Sequence, residues 1–486
     1  MNYIILPLFA VTLLSACAVG PDYRRPVIET PEKWRVDYPQ AAEVTNVGWW
    51  IQFGDPALNA LIETALNENR DIQAAAARVD QFIGALQATR AQFFPQIGYS
   101  ATISRNRATE ELAVLPPGND PYFSLYRGAL NASWQIDLFG RIRRQSEAAQ
   151  AQIFASEQGR RGVILSVVTS VAASYIGLRA LDRQLEIARA SAANYAETMR
   201  IFDLRYQWGV VSQTELSQIQ SQYQLALATI PGIEQQIVAQ ENLISILLGR
   251  NPETIPRGST IDELIAPIVP PDLPSTLLER RPDIVEAEQN LVATNANVGV
   301  ARSLYYPTIT LTGLLGSAST AFGNFLTGPA STWTVAAGLL GPIFTFGNIT
   351  GQVRAAEAAQ REAIAFYQAI ILNAFRETND ALIGAVKKRE EAEAQAKRVV
   401  ALKEYARLSR AKFDNGYAGY LEVLFAENLL FDVELAAVRS KADRYTELVN
   451  VYKATGGGWV DEAEQLTPKP QLKGVQPVLE GNILAP

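Results

Sequence analysis

The 486-residue chain contains no histidine and a single cysteine. Without imidazole, and with one thiol, the usual zinc ligand sets cannot be assembled. Ser-His-Asp and Cys-His catalysis are excluded for the same reason. Carboxylate chemistry remains open on composition, but no converging set of side chains stands out for it, so no enzyme activity is expected. "TGGGWV" at 455 reads as a helix stop rather than a phosphate loop, because no strand precedes it and no Lys follows. Charge of one sign is also scarce. Lys and Arg number 43 against 50 Asp and Glu, a net charge of −7, and the basic face that nucleic acid demands is missing. The first sixteen residues carry no charged side chain at all.

The lone cysteine lies in "LLSACAVGPDY", residues 13 to 23. It follows an apolar run, Ile4 to Leu14, that is too short to span a bilayer, for which about 20 residues are needed. With the small pair Ser15-Ala16 at its end, the run reads as a signal peptide, although Met1-Asn2-Tyr3 lacks the usual basic start. Leu14-Ser15-Ala16-Cys17 resembles the bacterial lipobox. Residues 1–16 would then be removed, and Cys17 would carry a covalent lipid as the only attached group; no other cofactor and no metal is expected. Ala18, rather than Asp, favours the outer membrane by the enterobacterial sorting pattern.

Length alone would suggest about three domains, but past residue 54 the sequence occurs twice. "RAQFFPQIGYSAT" at 90 aligns with "RSLYYPTITLTGL" at 302, and "IDLFGRIRRQSEAAQA" at 136 with "IFTFGNITGQVRAAEA" at 343. "LRYQWGVVSQTELSQIQSQ" at 204 aligns with "AKFDNGYAGYLEVLFAENL" at 411. One supersecondary unit is built twice, over residues 55–249 and 275–455.

Each copy reads helix, strand, strand, long helix, turn, helix. In the first, 55–94 is helical: Asp55 caps, Pro56 suits the first turn, and Leu58, Leu61, Ile62, Ala65 and Leu66 make an apolar stripe. Residues 96–105 and 126–139 alternate apolar and polar, as amphipathic strands do. From Arg141 to Gln207 a helix-forming run continues without proline, roughly 100 Å of helix. Gly209 marks a turn, and Ser212 to Leu248 returns. The second copy has strands at 308–316 and 332–344, a long helix from Asn348 to Phe413 and a turn at Asn415-Gly416. In the first copy the two shorter helices, stacked end to end, match the long one. The Pro- and Gly-rich segments 17–54, 250–274 and 456–486 then fall near half height, as an irregular equatorial belt.

Four amphipathic strands suit a transmembrane β-barrel but cannot close one, and open edges are not tolerated in lipid. Outer-membrane barrels have at least eight strands, so copies of the chain must pool theirs. A soluble antiparallel coiled coil with two hairpins is the alternative. It leaves the aromatic-bearing strands and the lipid anchor unexplained.

"LLERRPDIVEAEQNL" (277 to 291), the strand entry "YYPTITLTG" and the strand exits "DLFG" and "FTFG" resemble TolC/OprM-type outer-membrane channel proteins. "CAVGPDYRRP" resembles their lipoprotein (NodT-like) branch. The resemblance covers essentially the whole mature chain. It implies a mainly α homotrimer: a periplasmic α-helical barrel continued by a twelve-stranded outer-membrane β-barrel, four strands per chain. It further implies a passive exit duct for drugs or other small molecules, served by an inner-membrane RND-type transporter and a periplasmic adaptor. Export of proteins or metal ions is the runner-up, and a non-conducting structural lipoprotein a remote alternative. Within "LLERRPDIVEAE", Pro282 fits a helix start, Asp283 and Glu286 suit its positive end, and Arg280 and Arg281 can clamp carboxylates; the motif reads as structural.

In that family, side chains just after the second turn form rings on the threefold axis. Here the resemblance nominates Leu421, Glu422 and Phe425, with Glu422 giving a cation preference and Glu215 as the acidic partner in the first copy. Phe425 stands where the family commonly has Asp, and Ala418 replaces a basic residue of TolC's gating links, so a more apolar plug is expected. The plain alternative is that Leu421 and Phe425, at i and i+4, pack between helices.

Overall fold

A computed structural model describes residues 18–28, 30–31, 34, 48–109, 121–268, 277–457 and 460–471. Residues 1–16, read above as a signal peptide, and Cys17 lie outside the described residues. The helices longer than five residues are α1 (Pro56–Glu68), α2 (Arg70–Ala91), α3 (Arg141–Gln207), α4 (Gln213–Leu247), α5 (Pro282–Ser303), α6 (Asn348–Asp414), α7 (Tyr420–Ala454) and α8 (Val460–Leu466). The strands are β1 (Gln96–Arg107), β2 (Tyr122–Ile136), β3 (Thr308–Ser319) and β4 (Ser331–Leu340). The duplication keeps its lengths where they matter most. Helices α3 and α6 are each 67 residues, and α4 and α7 each 35.

Both long helices end at a glycine. At the end of α3 the amide of Val210 bonds to the carbonyl of Arg205 and that of Gly209 to Tyr206. At the end of α6, Tyr417 bonds to Lys412 and Gly416 to Phe413 in the same pattern. Gly209 and Gly416 have φ of 70° and 78°, the left-handed region that only glycine enters freely.

Helices α2 and α4 pack on one side of α3, and α5 and α7 lie between α3 and α6. The result is a wall four helices wide, in which each short pair is stacked end to end beside a long helix. An 18-residue stretch of α3 is apolar enough to cross a membrane by composition, but 72% of it is buried inside the protein, and it is core. Around it, Trp49, Phe53, Ile255, Ile261, Leu264, Val460 and Ala463 pack with α1, α3 and α7. Trp49 stacks on Tyr452 at 5.1 Å. Asp55 is fully buried: it caps α1 through the amides of Ala57 and Leu58 and accepts from the Tyr175 hydroxyl (2.8 Å) and the Ser259 amide (3.0 Å).

The expected single helix over 55–94 is two helices. Asn69 takes an extended conformation, and its side-chain oxygen accepts from the amides of Asp71 and Ile72 to start α2. Its amide nitrogen donates to the Leu247 carbonyl at the end of α4. The break is therefore the joint at which α4 meets the upper half of the wall. The second copy makes its joint with Arg281, which donates to the Ala454 carbonyl at the end of α7 (3.1 Å) and pairs with Asp283 (2.6 Å) and Glu377 (2.8 Å).

Strand ends also shift. β2 runs from 122 to 136 rather than 126 to 139, because Asp137 turns to cap α3 through the amides of Ile142 and Arg143. β4 stops at Leu340 rather than 344, ahead of Gly341-Pro342; proline has no N–H to offer a ladder. β1 and β3 run on to Arg107 and Ser319, where Tyr122 and Tyr126 pair with them.

Candidate functional site

The four strands form one antiparallel sheet in the order β1-β2-β3-β4. Its register aligns the alternation of every strand. Tyr99 pairs with Leu130, Leu130 with Leu315, and Leu315 with Trp333. One face therefore gathers Ile97, Tyr99, Leu130, Trp134, Leu315 and Trp333, and the other Ser100, Thr102, Asn131, Gln135, Thr310 and Thr334. Asn131 and Ser100 hydrogen bond across the polar face at 2.9 Å. The apolar face is open: Tyr99 is 87% and Trp333 72% exposed. Such a sheet has no use for its apolar face in water, and among the described residues its outer strands β1 and β4 have unpaired edges. Aromatic side chains collect where it meets the helices. Phe139 stacks on Tyr306 at 4.7 Å, Phe344 lies against Phe346 at 4.3 Å, and the Trp134 indole donates to the Phe93 carbonyl. This is the position of the girdle in membrane barrels.

The segment following Cys17 is tied to the same junction. The Val19 amide donates to the Phe139 carbonyl. Arg144, almost fully buried, holds Asp22 at 2.7 Å, and Asn295 holds the Pro21 carbonyl. Farther along, Arg25 pairs with Glu288 at 2.8 Å.

At the opposite end, α3, α6 and α7 are joined by an aromatic knot that no local sequence pattern announces. Tyr420 lies 4.4 Å from Phe202 and 5.1 Å from Phe413. Arg205 covers Phe202 and Phe413, and Arg410 covers Tyr420. Val423 and Leu424 face this knot and are buried, whereas Leu421 and Phe425 point away and are 62% and 57% exposed. They do not pack between the helices of their own chain. Glu422 reaches back to α6, with Lys412 at 3.3 Å and Ser409 at 3.4 Å. Glu215 stays at the head of α4, closing a capping box with Ser212. Leu421 and Phe425 thus share one face, Glu422 sits beside it, and Glu215's bonds keep it to its own turn. Beyond them the turns expose Trp208 (81%), Val210 and Tyr417.

Edge helices are apolar too: Leu225, Val238 and Ile246 on α4, and Phe366, Leu372 and Val400 on α6, are exposed. Both ends of the wall and both edges of the sheet call for neighbours.

Residues 61–250 and 273–457 match the family of outer membrane efflux proteins. The solvent efflux pump outer membrane protein SrpC of Pseudomonas putida is 31% identical over 94% of this chain and 99% of its own length. The Salmonella typhimurium protein named probable outer membrane lipoprotein SilC is 30% identical over 94% and 99%. Among solved structures, the Campylobacter jejuni CmeC outer membrane channel superimposes with a TM-score of 0.87, at 24% identity, over 93% of this chain and 99% of that one.

Proposed function

The chain belongs to the outer membrane efflux protein family, and from that premise we propose that it is the exit duct of a tripartite pump for small organic molecules. It resides in the outer membrane, and its family's channels are trimers that work with other pump components. In the proposed assembly, a periplasmic adaptor passes solutes from an inner-membrane transporter of the RND class. The exposed Trp208, Val210 and Tyr417 at the turns are the surface offered to the adaptor. The solvent efflux in the name of the Pseudomonas putida relative supports apolar solutes as cargo.

One observation carries this reading. A sheet with one lipid-compatible face, one hydrophilic face and two open edges continues directly into a wall of helices roughly 100 Å long. Pooled among three copies, the strands number twelve, above the minimum for a barrel, and the hydrophilic face lines a water-filled lumen. At the far end Leu421 and Phe425 form the resting constriction, since apolar rings block ions by dewetting. Attachment of the segment after Cys17 at the girdle supports a lipid on Cys17, which Cys17→Ala should strip of palmitate labelling. Purified trimers in planar bilayers test the duct: discrete conductance steps are expected, and a trimer that inserts without conducting would overturn the reading.

A further inference from the structure

The exposed face that carries Leu421 and Phe425 continues up α7. Its exposed positions 421, 425, 432 and 439 are separated by four, seven and seven residues, the spacing of a single helical stripe. The charges on or beside that stripe are in different states. Glu422 is engaged by Lys412 and Ser409. Arg439 donates to the Gln184 side chain at 3.0 Å. Asp443 is paired with Lys388 at 3.1 Å. Asp432 is exposed and joins no ion pair among the described residues. Two cations of the flanking helices are committed elsewhere, Lys403 to Glu434 and Arg189 to Glu234.

We infer that Asp432, and not Glu422, is the charge filter of the duct. This rests on the reading that the stripe of Leu421 and Phe425 faces the lumen. Asp432 then stands about 10 Å above Phe425, seven residues along the helix. Three copies place three carboxylates at one height, just behind the apolar constriction. No ion pair among the described residues cancels their charge. Arg439, on the same stripe about 10 Å farther up, keeps its positive charge beside the neutral Gln184, so the Asp432 ring is the nearer of the two to the constriction. A ring of carboxylates in a narrow passage concentrates cations and repels anions. Glu422 has its charge balanced within the chain and contributes little. The first copy adds nothing at this level, because the residue at the same place in its repeat is Leu225. Neutral apolar solutes are indifferent to such a ring; among charged solutes it favours cationic amphiphiles over anions, drawn past an apolar ring by an acidic one.

The test uses full-length trimers in planar bilayers with a KCl gradient, read as the reversal potential. The wild type should prefer potassium. Asp432→Asn should lower the ratio of potassium to chloride permeability severalfold, toward unity, and Glu422→Gln should leave it near the wild-type value. The inference is overturned if Asp432→Asn stays as selective as the wild type, or if Glu422→Gln is the variant that loses selectivity. Asp432→Cys, treated with a cationic methanethiosulfonate, separates the two layers of the argument. A change in conductance on modification, with unchanged selectivity in Asp432→Asn, means that the stripe lines the duct and the filter lies elsewhere. No change in either variant means that the stripe does not line the duct, and the constriction reading falls with the filter.

Discussion

The two turns at the far end of the wall descend from one repeat, 207 residues apart, and they are finished differently. Gly209 and Gly416 end their long helices by the same bonds. Three residues later the first copy has Ser212, whose hydroxyl accepts from the Glu215 amide while the Glu215 carboxylate holds the Ser212 amide. The second copy has Gly419 at the equivalent place, and α7 begins with no side-chain cap. Glu422, the counterpart of Glu215, is released from capping and turns to Lys412. The residues at the places of Leu421 and Phe425 are Thr214 and Gln218. One turn is closed and polar, the other open-capped and apolar. The duplication supplied two equal ends; the sequence difference caps one with its own side chains and leaves the other without a side-chain cap.

The largest effect should come from making the second turn resemble the first at its exposed face. Leu421→Ser with Phe425→Ser is expected to raise resting conductance severalfold in planar bilayers and to sensitise cells to a bulky antibiotic such as vancomycin. Thr214→Ser with Gln218→Ser should change neither. Equal conductance of the two double variants would show that the copies do not differ in the way argued.

The half-height joints give the next contrast. Arg281 is 9% exposed at its side chain and pairs with two carboxylates that are each nearly half exposed. Removing one partner of a fully buried pair costs about 3–5 kcal/mol; solvent screens these carboxylates, so Arg281→Ala should cost about 2 kcal/mol. Asn69→Ala loses a helix cap, about 1 kcal/mol. Thermal unfolding of the two variants ranks the joints, and a reversed order would contradict the assignment of Arg281 as the stronger clasp. At the turns, Ser212→Ala should cost about 1 kcal/mol, whereas Gly419→Ser, which offers Glu422 a box to close, should add only a few tenths. Hydrogen exchange at the first turns of α4 and α7 is the measurement: protection should fall in the first variant and rise in the second.

Much of this comparison is legible in the amino-acid sequence. The repeat, the proline-free run to Gln207, the glycine turns and the strand alternation are local patterns, and local patterns are what a sequence displays. The break at Asn69 is different. A single Asn inside a helical run costs little, and only the arrival of the α4 terminus makes extension there worthwhile. Asn69 followed by Asp71 is the one local sign of it. Glu422's choice of Lys412 follows from the replacement of a capping serine by Gly419, which the alignment of the two copies contains. The knot of Phe202, Phe413 and Tyr420 joins α3 to helices more than 200 residues away in sequence, and nothing in the spacing of these aromatics distinguishes it from ordinary core.

The smallest effect concerns Glu427, where the second copy again departs from the first. It lies on α7 with one carboxylate oxygen 3.8 Å from Arg410 of α6 and the other buried without a hydrogen-bond partner. Tyr195 of α3 and Tyr420 at the head of α7 are its other titratable neighbours. Burial pushes its carboxyl above the usual range, against the pull of Arg410 and of the Asn194 side chain. The sign follows from proton linkage. A carboxyl whose folded-state pKa is raised binds its proton more tightly folded than unfolded, so its contribution is most favourable below the unfolded value and is lost as pH rises through the folded one. At pH 8 the ionised side chain is therefore a small liability. The first copy has Gln220 in this place. Glu427→Gln should raise the melting temperature by about 1–2 °C at pH 8, with the difference shrinking as pH falls through the raised pKa toward the ordinary carboxylate value. If the variant instead melts lower at pH 8, the contact with Arg410 outweighs the burial, and the second copy gains from its carboxylate what the first obtains from an amide.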